Sequence, residues 1–229
     1  PLPADSSRGV VTITLDARIG ERQHGDVFTV QVYPKAPATT GAVLAVDPAG
    51  ASTRALTTLG YTVTAWDGKP APGKVVVVGR HAFADPAVRA LGFAAHVAAG
   101  GRLIVLAQER AWYEQDQGLR TAAWSSRRVF TVPTMAAHPV LAGLGDEDLR
   151  DWNGAGSSLP ARPQAVYEKE SHGYPRHGWK WGNNGTVAGL AIEKPHHGSW
   201  RPLLQCEFDL AYSPLLELAD GQGLTLWCT

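Results

Sequence analysis

Apolar and polar positions alternate through the first forty residues, and then the period changes. Val10-Val11-Thr12-Ile13-Thr14-Leu15 and Val27-Phe28-Thr29-Val30-Gln31-Val32-Tyr33 switch between apolar and polar or threonine side chains, with a polar stretch at 20–26 between them. That is the period of half-buried strands and predicts a β-hairpin. Two strands alone are marginal in water. The pair is therefore expected to lean on the following domain or on a neighbouring β-domain, with 34–40 as a linker.

From Gly41 onward, short apolar runs alternate with helical patterns. Residues 42–46, 61–66, 74–79 and 102–107 read as strands, and the unbroken valines of Lys74-Val75-Val76-Val77-Val78-Gly79 mark one covered on both faces. Ser52 and Thr53 are placed to cap a helix running toward Leu59-Gly60. A second, continuous helix is expected over 85–99, capped by Asp85 with Pro86 in its first position. Strands alternating with helices predict βαβ units and a parallel sheet, whose ligands bind at the carboxyl ends of the strands. The tips that matter are then 47–52, 79–82 and 108–113.

Beyond Tyr113 the periodicity fades. The stretch 114–184 is rich in Trp, Arg, Gly and Pro and holds only short elements, among them Arg128-Val129-Phe130-Thr131-Val132 and a helical turn near Asp146-Glu147-Asp148-Leu149. Loops this long are normally functional or packed against something. Strand character returns at 186–192, 203–208 and 223–228. A helix would normally follow the last strand to cover the sheet, and the first residue is Pro1. These points lead to the expectation of an excised or mature fragment, cut at or near Thr229.

With 229 residues, 44% of them hydrophobic, the chain can bury a substantial core. Lys plus Arg equal Asp plus Glu at 21 each, so no net field draws nucleic acid or an anionic membrane. No apolar run is long enough to span a bilayer. Cys206 and Cys228 lie in apolar strand-like runs without a CxxC or a Cys/His cluster. They read as buried free thiols, or as a single bridge between adjacent strands if the compartment is oxidising. No cofactor and no metal is indicated.

The most informative segment is Ala98-Ala99-Gly100-Gly101-Arg102-Leu103-Ile104-Val105-Leu106-Ala107-Gln108-Glu109-Arg110: helix end, glycine turn, buried strand, polar tip. It resembles the class I glutamine amidotransferase-like domain, whose active members end this strand in a Gly-x-Cys-x-Gly elbow exposing the nucleophile. Against that elbow Leu106 and Arg110 replace the glycines, and Gln108 stands where the cysteine would. The resemblance implies a three-layer flavodoxin-like fold with a mostly parallel sheet and helices on both faces. It also implies that the elbow and the His-x-Glu pair of active members are lost, since His196 and His197 have no acid two residues beyond either.

A narrower likeness is carried by His138-Pro139-Val140-Leu141-Ala142-Gly143-Leu144, Asp148-Leu149-Arg150-Asp151-Trp152 and Phe208-Asp209-Leu210-Ala211-Tyr212-Ser213-Pro214-Leu215-Leu216-Glu217, followed by Gly221-Gln222-Gly223. In that order they resemble the degenerate amidotransferase-like domains appended to bacterial glycoside hydrolases, especially β-galactosidase-like family 2 enzymes. The expected division is then 1–40 as strands from a preceding β-sandwich and 41–229 as the α/β domain with a Trp-rich insertion at 114–184. The expected function is a non-catalytic accessory domain serving interdomain packing, oligomerisation or the shaping of a substrate cleft. Its partners would be other domains of the same polypeptide, a second copy, or carbohydrate, and its compartment periplasmic or extracellular if the parent is such a hydrolase. Alternatives are a glycan-binding module and a ThuA-like or other hydrolase with an unrecognised site.

Candidate binding residues are Trp152, Trp179, Trp181 and Trp200, with Glu109 and Arg110 at the strand tip as polar contacts. Indoles bind sugar C–H faces and also anchor protein interfaces, or simply pin a long loop. Histidines 172, 177, 196 and 197 are imaginable metal ligands, but neighbours on an extended chain point apart, so His196 and His197 are not expected to share an ion. Asp209 with Glu217 is a formal glycosidase carboxylate pair, although acids at strand ends more often cap loops or pair with Arg. Cys206 lacks the exposure and base that a reactive thiol needs.

Overall fold

A chain that alternates buried valine runs with short helices builds a parallel sheet, and the computed structural model shows a mostly parallel one of seven strands. The helices expected on both faces are corrected, since the described residues hold only three α-helices and part of one face is covered by a second sheet. The model describes residues 9–32, 39–122, 129–146, 148–149, 164–169, 175–180, 190–206 and 209–229, with the backbone alone for 31, 122, 164–169 and 175–180. The chain divides into two compact units, Pro1–Thr39 and Thr40–Thr229. The first holds a hairpin of β1 (Gly9–Ile19) and β2 (Arg22–Val32), antiparallel, with Ile13 opposite Phe28 and Val11 opposite Val30. The alternation puts these four side chains on one face of the ribbon.

In the second unit the elements begin β3 (Gly41–Val46), α1 (Ala51–Thr58), β4 (Tyr61–Ala65), β5 (Val75–Val78), α2 (Pro86–Arg89), α3 (Phe93–Ala98) and β6 (Arg102–Val105). They continue as β7 (Thr121–Ala122), β8 (Val129–Thr131), β9 (Gln164–Lys169), β10 (Pro175–Lys180), β11 (Ala191–Glu193), β12 (Trp200–Pro202) and β13 (Leu204–Cys206). The last are β14 (Tyr212–Ser213), β15 (Leu215–Asp220) and β16 (Gly223–Cys228). Seven strands form one sheet in the order β12-β15-β16-β6-β5-β3-β4. The pairs from β16 to β4 are parallel, while β15 runs antiparallel to β16 and β12 antiparallel to β15.

Register sorts the sheet's two faces. Leu44, Val76, Leu103 and Thr225 lie in one row across it, as do Val46, Val78, Val105 and Trp227. This face packs on Phe83, Val88 and Val97 from the α2–α3 segment, and Val76, Val78 and Val105 are almost fully buried. Each such side chain contributes about 1.5–3 kcal/mol of burial. The opposite face, with Ile104, Leu226 and Cys228, packs against a second sheet of order β7-β11-β14-β13-β8. The runs read at 128–132, 186–192 and 203–208 supply β8, β11 and β13 of this second layer, and β7 and β14, of two residues each, are too short to show a period.

Two further expectations are corrected. The helix expected over 85–99 is two helices, because Gly92 backs onto the carbonyl of Gly68, where a Cβ would lie 2.9 Å from the oxygen, and the turn opens there. Asp85 does cap the first of them, accepting from the Ala87 N–H at 2.8 Å. Ser52 and Thr53 do not cap α1: its N-cap is Gly50 at φ 69, and both lie inside the helix. Instead Thr53 N–H is satisfied by Asp47 Oδ2 at 2.7 Å, the carboxylate lying near the helix N-terminus, where the dipole favours an anion.

Candidate functional site

A parallel sheet places its ligands where the chain leaves one strand and crosses to opposite sides. Here β3 connects outward to β4 on one side, while β5 adjoins it on the other, so the crevice lies between Asp47 and Gly79. It is filled. Asp47 Oδ1 is buried with no hydrogen-bond partner among the described residues, pressed on Gly79, where any Cβ would overlap the carboxylate. Arg80 N–H closes the same edge by donating to Ser52 Oγ at 3.0 Å.

Gln108 closes the next position. Its residue is 4% exposed. Oε1 accepts from Phe83 N–H at 2.9 Å, and Nε2 donates to the Gly79 carbonyl at 2.8 Å and to the Leu106 carbonyl. Its backbone N–H donates to Tyr113 Oη at 3.2 Å. Tyr113 is itself fully buried, and desolvation holds its phenol protonated, well above the ordinary tyrosine range. Gln108 therefore ties two strand tips and the Ala82–Ala84 turn together, and no face of it meets solvent as a nucleophile would.

The polar residues beside it are satisfied locally. Glu109 Oε1 lies 2.9 Å from His81 Nδ1, and His81 holds a left-handed backbone at φ 57, unusual for a residue with a side chain. Arg110 pairs with Glu114 one helical turn on, at 2.8 Å. Hydrogen bonds from Thr121 Oγ1 and then Arg110 hold the Glu114 carboxyl below its ordinary range.

Glu217 does not pair with Asp209 as a glycosidase dyad. It is 1% exposed on β15, with Oε1 against the Arg201 guanidinium and Oε2 at 3.1 Å from His138 Nε2. Arg201 is its directly opposed residue on β12. His138 Nδ1 accepts from Val140 N–H at 3.3 Å, so the ring proton sits on Nε2 and faces the carboxylate. Both ring nitrogens of His138 are thus engaged within the protein. Asp209 caps its own turn, accepting from Ala211 N–H at 3.2 Å.

Cys206 is fully buried in β13, and Cys228 is a free thiol that burial pushes up to about 12. Among the described residues no three His, Cys, Asp or Glu side chains gather as a metal site, and no helix is long and apolar enough to cross a membrane. His196 and His197 both border one cavity, because the chain bends there and the alternation of an extended strand does not apply. Of the four tryptophans, Trp152 and Trp181 lie outside the described residues, as does His172. Trp179 and His177 sit on β10, described by backbone alone. Trp200 opens β12 and is half-buried.

Two cavities are bordered wholly by described residues and stand out among them. One, of about 600 Å³, lies over β6, β16 and β15 beside α3. Its aromatic walls are engaged with one another: Trp112 stacks on Phe83 at 4.4 Å and 24°, and on Trp227 at 5.0 Å and 28°. The other, of about 360 Å³, lies at the end of the second sheet and is bordered by Trp200, Arg120 and Glu193. Sequence reasoning singled out Trp200 and missed Arg120, Glu193, His138 and Arg201, since pairs between strands far apart in the chain leave no local pattern. No family model matches the chain, and no curated protein sequence matches it.

Proposed function

We propose that the chain is a non-catalytic, amidotransferase-like accessory domain of a multidomain carbohydrate-active enzyme, built on a three-layer flavodoxin-like plan. The order of the parallel strands supports the plan. Counted by appearance in the chain they run 2-1-3-4-5, with β16 as the fifth, which is the flavodoxin-like order. The observation that carries the functional reading is the burial of Gln108, with its side-chain amide fully hydrogen-bonded at the tip where active amidotransferases expose their thiol. A domain whose catalytic edge is filled from within has its outer surfaces left for packing, assembly or shaping a neighbour's cleft.

The test is glutamine hydrolysis by the wild-type chain and by Gln108→Cys. Neither is expected to turn over, because the replaced thiol would sit in a closed site without a base. Robust ammonia release from Gln108→Cys sinks the reading, as does wild-type turnover that Cys206→Ser abolishes. The glycan-binding alternative is favoured by one observation, the cavity beside Trp200.

A further inference from the structure

We propose that the cavity at the end of the second sheet is a binding site for a single neutral pyranose ring. Its volume of about 360 Å³ is at the lower end of small-molecule sites and admits one ring rather than a chain. The site stands on its own chemistry and goes beyond the accessory-domain reading.

Three features fit a sugar. The first is the indole of Trp200, which meets Trp227 at 80° and 5.1 Å, not stacked. At least one face of Trp200 is thus free of Trp227, unlike the mutually stacked rings of the larger cavity, and sugar C–H groups pack on such faces. Gly198, at φ 83, lies beside the indole edge, where a Cβ would be in ordinary contact with Cδ1 and Nε1 at 3.4 and 3.7 Å.

The second feature is a donor fork held beside an acceptor. The Glu193 N–H donates to the Arg120 carbonyl at 2.8 Å, fixing the two as cross-strand neighbours of β11 and the start of β7. Their side chains pair through Arg120 Nε and Glu193 Oε2 at 3.1 Å, with Nη1 at 3.5 Å from Oε1. A guanidinium and a carboxylate held side by side offer donor and acceptor to two adjacent hydroxyls. The Gln117 amide on the same rim adds one of each.

The third is charge balance. The Arg120 charge is matched by Glu193. Lys194 directs its ammonium to Gln205 Oε1 at 2.7 Å, and desolvation lowers its pKa against the opposing effects of Cys206 and Asp209. An ammonium engaged with a neighbouring amide is poorly placed to recruit an anion, and the rings of His196 and His197, which border the same cavity, can serve hydroxyls as hydrogen-bond partners, so the site suits a neutral polyol.

The experiment follows the Trp200 indole N–H in two-dimensional proton–nitrogen spectra while methyl pyranosides of glucose, galactose and mannose are each raised to about 100 mM, and fits the shifts as affinities. A saturable shift with at least one of them, on the order of 1–10 mM, is expected. Calorimetry should show the binding lost in Trp200→Ala and weakened about tenfold or more in Arg120→Ala and Glu193→Gln, which alter a pair exposed on its arginine side and leave the fold intact. No saturable response to any of the three overturns the proposal. So does binding that survives Trp200→Ala, or a response to glucuronate alone, which would mark an anion site at Lys194. None of these outcomes bears on Gln108, and glutaminase turnover by Gln108→Cys would leave this site untouched.

Discussion

At the carboxyl edge of the parallel sheet, Gln108 directs its side-chain amide inward, to Phe83, Gly79 and Leu106. At the end of the second sheet, Gln117, Arg120 and Glu193 border a cavity, and the indole of Trp200 stands beside them. The side chains are of similar kinds, and the difference is what they satisfy. Buried polar groups must find partners within the protein, so the Gln108 amide, which has met this demand internally, has nothing left to offer a ligand, although Asp47 Oδ1 on the same edge is buried without a partner among the described residues. An exposed pair meets it only in part, and its remaining donors and acceptors are open to water or to a sugar.

The largest expected effect tests whether internal satisfaction matters where a charge is involved. Arg201→Met leaves the Glu217 carboxylate buried with only His138 beside it, and should cost about 3 kcal/mol in equilibrium urea unfolding. A loss under about 0.5 kcal/mol, the ordinary size of a surface change, would mean that water reaches Glu217 and the pair is not internal. Gly79→Ala comes next, because its methyl would displace the Asp47 carboxylate from the switch-point crevice. About 1–3 kcal/mol should be lost by the same measurement, and an unchanged midpoint would show that the crevice has room.

Changes at the second sheet should behave differently. Leu210 holds a left-handed backbone at φ 59, next to Asp209 at φ 61 in the turn between β13 and β14. Leu210→Gly relieves that conformation and should raise stability by about 1 kcal/mol; destabilisation would mean that the leucine packs in a way its exposure does not suggest. Arg120→Ala should change stability least, within about 0.5 kcal/mol, since the Arg120–Glu193 pair is exposed on the arginine side. A large loss there would turn the pair into a structural bond and erase the contrast with the carboxyl edge.

How far the sequence reveals these two regions follows from what local pattern can encode. The valine run at 74–79 and the Gly100-Gly101 turn announce β5 and β6, because a strand buried on both faces is written in consecutive residues. The Asp85-Pro86 helix start is equally local. The break at Gly92 is not, since it depends on Gly68 lying against it, and Gly79 gives no sign that Asp47 will lie on top of it. The second sheet is legible only in part: the runs at 128–132, 186–192 and 203–208 hold β8, β11 and β13, but β7 and β14 span two residues each, below any period, and the pairing of all five is not local. Gln108 could be read as a missing nucleophile, but its role as a bond between the Gly79 tip and Phe83 depends on β5 and β6 lying side by side. Trp200 was visible as an aromatic among polar residues, whereas Arg120 and Glu193 become one feature only once β7 and β11 pair.

The central claim is that Gln108 is an internal tie at a closed edge, and Gln108→Leu measures it most directly. The substitution keeps the approximate size and removes the amide's bonds, stranding the buried Phe83 N–H and taking a donor from the Leu106 and Gly79 carbonyls, of which Gly79 still accepts from the Ala82 N–H at 3.2 Å. Equilibrium urea unfolding should show a loss of about 1–3 kcal/mol, the cost of leaving the buried Phe83 N–H unsatisfied. A Gln108→Leu chain as stable as the wild type would contradict the account, placing solvent at the strand tip and reopening the carboxyl edge as a site.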